Sequence, residues 1–197
     1  MRPSSITRPE YVAAFTELVQ RIASGLRELP KRVLPVKMYV AGGAATYFYT
    51  GARVSQDVDA SFSKRIALPE DLEVAYRDSD GAPKILYFDR QFNDTFALMH
   101  EDAHDNSTPL TLKGVDASVL DVRLLSAVDL AVSKIARLSS QDRDDISALA
   151  SHGLITSEAL RHRAEAALKN YVGNLDTLKS GIEFACRIVA DIEQRRP

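Results

Sequence analysis

The sequence predicts an α/β (α+β) fold, a mixed sheet flanked by helices with a helical C-terminal lobe, and three observations point to it. Apolar residues recur at helical intervals over the leading stretch from Ile6 to Pro30. The middle of the chain alternates turn residues with short apolar or β-rich runs. From Ser126 onward the runs are longer, spaced as helices and bounded by capping residues. This organisation divides the chain into a sheet domain with its leading helix at 1–126 and a helical lobe at 127–197. Only short linkers separate them, so the lobe is expected to pack on the domain.

The leading helix has Thr7 three residues before Glu10, the spacing of a capping box, and Pro9 in its first turn. The strand-like runs are VKMYVAGG, DVDASFS, PKILYFDR, LTLKGV and SVLDVRLLS. The helical runs are SAVDLAVSKIARLSS, then QDRDDISALASHG closed by Gly153, then TSEALRHRAEAALKNYVG closed by Gly173. The last begins at Asn174, a favourable N-cap.

Of 197 residues, 45% are hydrophobic and 26% charged, and the net charge is only −2, which calls for no nucleic-acid or membrane partner. The single cysteine, Cys186, excludes a disulfide framework and sits at helical spacing as a small buried hydrophobe. No apolar run reaches the roughly 18 residues needed to span a bilayer, and MRPSSITRPEY lacks a signal-peptide core, so the protein reads as cytoplasmic.

The chemistry concentrates between Tyr39 and Phe62. Gly42-Gly43, after a strand and before a helix, lets the backbone approach a phosphate, while the helix N-terminus offers free N–H groups and partial positive charge. Asp57 and Asp59 are two apart on a strand and therefore share a face, about 7 Å apart at 3.3 Å of rise per residue. Two carboxylates on one face suit Mg²⁺ or Mn²⁺, which clamp the oxygens of a phosphoryl-type displacement. The plain alternatives are a tight turn and an amphipathic edge strand, with Val58, Ala60 and Phe62 on the inner face.

These residues resemble the signature of the nucleotidyltransferase superfamily: a glycine pair, a gap, and then Asp-hydrophobic-Asp. Here the gap is positions 44 to 56, thirteen residues. Within the superfamily, Arg53-Val54-Ser55-Gln56-Asp57-Val58-Asp59 is most similar to the bacterial AbiEii-type nucleotidyltransferase toxins, with serine in the place of their threonine. The later motifs of that group, a helix-borne lysine and an Asp-x-x-Asp, resemble Lys134 and then Asp142 and Asp145; the spacing from Lys134 to Arg137 is shorter than the group's. The resemblance implies transfer of a nucleoside monophosphate from an NTP to a tRNA or protein acceptor, as by a toxin with a cognate antitoxin. It makes Asp57 and Asp59 metal ligands; it makes these two catalytic together with Asp145 and with Lys134, which would neutralise charge on the leaving group; and it makes Gly42, Gly43, Arg53, Ser55 and Asp142 nucleotide contacts. We assign the third acidic ligand to Asp102, ahead of Glu101 and Asp121. The bland reading of Lys134 is a solvated lysine, and that of Asp142 and Asp145 is charge at a helix N-terminus.

Two other classes compete. A non-catalytic module of the same fold would bind nucleotide and transfer nothing. His100-Glu101-Asp102-Ala103-His104 also spells the zinc-protease pattern H-E-x-x-H, which needs both histidines on one helix face and a third ligand. The residues that follow, Asp105-Asn106-Ser107-Thr108-Pro109, break a helix and supply no such ligand.

Overall fold

The computed structural model describes residues 7–93 and 97–196. They fall into two compact units: Met1–Phe92 with Ser107–Leu124, and Asn93–Asn106 with Leu125–Pro197.

The first unit opens with α1 (Pro9–Leu26), whose Tyr11, Phe15, Leu18, Val19, Ile22 and Leu26 form one buried stripe. The expected capping box is absent. Arg8 is the N-cap and makes no side-chain cap bond; its N–H instead donates to the Tyr47 hydroxyl at 2.6 Å. Thr7 lies one residue too early to reach the third amide of the helix.

Strand β1 (Val36–Val40) leads into α2 (Gly42–Thr50), which ends on Gly51 in the left-handed region. Phe15 and Phe48 meet edge to face at 4.8 Å, as do Tyr11 and Tyr47 at 4.7 Å, so aromatic packing joins the two helices.

The expected strand DVDASFS breaks at Asp59 into β2 (Asp57–Val58) and β3 (Ala60–Phe62). The two halves join different sheets. β3 pairs antiparallel with β1, which pairs parallel with β7 (Leu120–Leu124), itself antiparallel to β6 (Thr108–Pro109). β2 is the edge of a second sheet, parallel to β5 (Pro83–Phe88), which is antiparallel to β4 (Glu73–Arg77). The switch needs one residue that belongs to neither ladder, and Asp59 is that residue.

β4 was not among the expected strands, although Leu72, Val74 and Tyr76 alternate with Glu73, Ala75 and Arg77. The run LTLKGV forms no strand; Leu110 and Leu112 are buried from an irregular segment. Helix α1 packs on β4 and β5.

The second unit is helical, and its caps follow the sequence closely. Helices α3 (Ala127–Ile135), α4 (Ser140–Ser151), α5 (Ser157–Ala167) and α6 (Leu175–Gln194) carry side-chain N-caps at Ser126, Ser139, Thr156 and Asn174. Gly153 takes φ +72° beyond α4 as expected. Gly173 does not close α5, which ends at Ala167 and passes into a short 3₁₀ turn at Leu168–Asn170. Cys186 is buried on α6, where desolvation raises its thiol pKa. Among the described residues no helix is long and apolar enough to cross a membrane.

Candidate functional site

The glycine pair forms the first turn of α2. Gly42 has φ +59°, a conformation costly for any residue with a Cβ. A Cβ placed there would lie 1.9 Å from the Asp59 Oδ2. Gly43 is equally tight: its Cβ would lie 2.7 Å from the Ser55 Oγ and 3.0 Å from the Arg53 guanidinium. The missing side chains thus give up their space to residues of the segment 53–59.

The backbone fixes that segment. The Ala41 N–H donates to the Asp59 carbonyl at 2.8 Å, tying the residue before the glycines to the point where the chain changes sheets. Ser55, only 3% exposed, donates its hydroxyl to the Asp57 carboxylate. That bond orients the Asp57 carboxylate. The structure brings Gly42, Gly43, Arg53, Ser55, Asp57 and Asp59 together in one unit.

The other sequence-derived candidates belong to the second unit. There Lys134, Asp142 and Asp145 form a buried ion network. The Lys134 ammonium donates to Asp145 at 2.6 Å and lies 3.7 Å from Asp142. Both carboxylates and the lysine are at most 6% exposed. Asp142 is the reciprocal member of the α4 capping box: it receives the Ser139 N–H at 3.0 Å while its own N–H donates to the Ser139 hydroxyl. Arg137 grips the same carboxylate with two bonds of 2.7 Å.

Burial alone would raise the Asp142 pKa, but bonds from Arg137 and Ser139, with Lys134 nearby, outweigh it and hold the carboxyl at about 2. An unfolded aspartate titrates near 3.8, so the unfolded chain binds the proton first and stability falls as pH drops. We expect a loss of about 2 kcal/mol from this residue, beginning below pH 4 and complete below pH 2. Urea midpoints between pH 5 and 2 check this, and Asp142→Asn should flatten that part of the acid limb.

Asp102 also lies in the second unit, exposed in a turn, with His100 as its neighbour at 3.8 Å. Residues 101–106 form turns and no helix, so His100 and His104 do not stand one helical turn apart and the zinc-protease reading fails. Of the stretch just before His100, residues 94–96 lie outside the described residues.

The register supplies an acid that the sequence reading passed over. Asp57 pairs with Tyr87. The Asp89 N–H then donates to the Val58 carbonyl at 3.1 Å, which sets Asp89 beside Asp59. The Asp89 carboxylate accepts the Gln91 N–H at 2.8 Å. In the sequence Asp89 is only the residue that ends the apolar run PKILYF; the pairing of β5 with β2 is what brings it to the site. Tyr87 has its phenol pKa raised first by Asp57, then by desolvation, Asp89 and Asp59. Among the described residues no three His, Cys, Asp or Glu side chains are gathered so as to hold an ion by themselves. Two carboxylates are nevertheless a sufficient protein share for Mg²⁺, which keeps water and substrate phosphates as its other ligands.

Residues 17–183 match a protein family described as a nucleotidyltransferase of unknown function, DUF6036. The chain belongs to that family. The matched span contains the glycine pair, Asp57, Asp59, Asp89 and the Lys134 network, so family membership and the geometry concern the same residues. No curated protein and no solved structure matches the chain.

Gly42→Ala should show whether the close approach at α2 matters. It adds a left-handed strain of about 1–2 kcal/mol and pushes the Asp59 carboxylate aside. Gly81, at φ +81° with open space around its Cβ position, provides the control. Both alanine variants should lose stability in thermal denaturation, but only Gly42→Ala should lose binding of Mg²⁺ and nucleotide.

Proposed function

We propose that the first unit transfers a nucleoside monophosphate from an NTP to an acceptor hydroxyl, releasing pyrophosphate. The observation that carries this reading is the Asp59 oxygen lying in the space a Gly42 side chain would fill, at the open N-terminus of α2. Phosphate-binding backbone and metal-binding carboxylates are thereby in contact. Asp57 and Asp59 would hold Mg²⁺ or Mn²⁺, which when bound neutralises charge on the reacting phosphate.

The chain's own groups would act as follows. The first amides of α2, left without helical partners, bind the β- and γ-phosphates. Ser55 keeps the Asp57 carboxylate turned, and Arg53, packed against Gly43, adds positive charge. The acceptor oxygen attacks the α-phosphorus, a new O–P bond forms, the bond to the bridging oxygen breaks, and pyrophosphate leaves. Asp89, beside Asp59, accepts the hydroxyl proton; it replaces Asp102 as our third acid.

A tRNA or protein acceptor, and a toxin role with an antitoxin partner, rest on the likeness of residues 53–59 to the AbiEii-type sequences. One observation favours the non-catalytic reading: the expected leaving-group cation, Lys134, is engaged by Asp145. Incubation with each α-labelled NTP, Mg²⁺ and either total tRNA or cell protein separates these readings. Label on tRNA or protein supports transfer and names the acceptor class, whereas nucleotide binding with no label on any acceptor supports the module.

A further inference from the structure

The face of the second sheet that carries Asp57 extends beyond the groups the proposed chemistry uses. Val74, Leu86 and Phe88 face inward and are buried. Alternation sends Glu73, Ala75, Ile85 and Tyr87 to the other face, which is exposed. Ile85 is 52% and Tyr87 40% exposed, and both rank among the few large apolar side chains open to solvent. Tyr87 is also the cross-strand partner of Asp57, one inter-strand spacing of about 4.8 Å away on the same face. Tyr87 is therefore the neighbour of Asp57 across the ladder.

We infer that Tyr87, backed by Ile85, is the seat on which the nucleobase of the incoming NTP stacks. This deepens the proposed function and rests on it. Three observations select that occupant. Ser55 and the glycine pair flank Asp57 within the site, where the triphosphate would lie, while Tyr87 borders Asp57 across the β2–β5 ladder. The ring therefore borders the residue proposed to hold the metal at the triphosphate. The apolar strip, two side chains wide, matches one base and falls far short of the roughly 800 Å² per partner of a macromolecular interface. Its surroundings are acidic, with Glu73 opposite Tyr87 in the β4–β5 register, Asp57 opposite it in the β2–β5 register, and Asp59 and Asp89 just past the end of that ladder. Such a field repels the backbone of a nucleic-acid acceptor but not a neutral base. Stacking on a tyrosine is tolerant of base identity, so the seat adds affinity for nucleosides without strong preference among them.

The test compares an NTP with inorganic tripolyphosphate, both with Mg²⁺, by isothermal titration on the full chain. The wild type should bind the NTP roughly tenfold more tightly than tripolyphosphate, the increment expected of one stacked base. Tyr87→Ala should erase that difference, and Tyr87→Phe should keep it, because the ring and not the hydroxyl does the stacking. A fluorescent purine nucleotide should be quenched by the wild type and by Tyr87→Phe but not by Tyr87→Ala. Equal binding of NTP and tripolyphosphate by the wild type, or an undiminished NTP advantage in Tyr87→Ala, overturns the base seat while leaving the metal and phosphate reading intact. Absence of binding by either ligand overturns both. If Tyr87→Ala instead leaves the NTP advantage intact and weakens only capture of tRNA, the platform belongs to the acceptor and the inference is wrong.

Discussion

Asp57→Asn combined with Asp59→Asn is expected to abolish nucleotide transfer while leaving the protein folded. Asparagine has the shape of aspartate, so the space beside Gly42 stays filled, and the Ser55 hydroxyl still finds a carbonyl oxygen to donate to. Two negative charges close together in the metal-free protein repel each other, and their removal should change stability by less than about 1 kcal/mol. The loss should fall on function. An amide is a poor ligand for a hard cation, and losing a group that stabilises transition-state charge costs on the order of 10²–10³ in rate. Circular dichroism and thermal denaturation report the fold, and label transfer reports the chemistry. A double variant that unfolds would make the pair structural, and one that keeps full transfer would remove it from the site.

Lys134→Met is expected to have the opposite profile. The substitution preserves volume but leaves Asp145 and Asp142 with less compensation in a setting that excludes water. Removing one partner of a buried ion pair costs about 3–5 kcal/mol, because the remaining charge pays its desolvation alone. In a chain of this length that is a fall in melting temperature of roughly 6–20 °C. Arg137 still neutralises Asp142, so the damage should centre on Asp145, and Lys134→Met with Asp145→Leu should recover part of the loss. If Lys134→Met melts within about 0.5 kcal/mol of wild type and loses transfer, the lysine serves the nucleotide and the structural reading of its network falls.

The contrast between these profiles follows what could and could not be read in the sequence. The helical lobe was legible because its signals are local. Ser126, Ser139, Thr156 and Asn174 cap helices through bonds that span two or three residues, and periodicity does the rest. Gly42-Gly43 and Asp57-x-Asp59 were legible as a phosphate grip and a metal grip from residue type and spacing, whereas the room that the glycines leave for Asp59 came only from the structure. Gly173 misled because a glycine after a helical run can also follow a 3₁₀ turn.

The break at Asp59 was not legible. Alternation through Asp57, Asp59 and Ser61 looks continuous, and only pairing with two different strands reveals the switch. Asp89 and Tyr87 were missed for the same reason. Tyr87 matters because it lies opposite Asp57 in the parallel β2–β5 ladder, and Asp89 because its N–H bonds the Val58 carbonyl just past the end of that ladder, pairings across some thirty positions of sequence that no local pattern encodes. Lys134 was read by its position in a motif, whereas its partners, at 2.6 and 3.7 Å, are set by how α3 meets α4.

The most direct measurement is the melting temperature of the wild-type chain with an NTP, with and without Mg²⁺ or Mn²⁺. A ligand at a hundred times its dissociation constant stabilises the native state by about 2.7 kcal/mol, a rise of roughly 5–10 °C here. If Gly42, Gly43, Asp57 and Asp59 hold a metal and a triphosphate together, that rise appears only when nucleotide and divalent ion are both present, and it vanishes in the double asparagine variant. No rise with any NTP and either ion, or an equal rise in the double variant, would contradict the site.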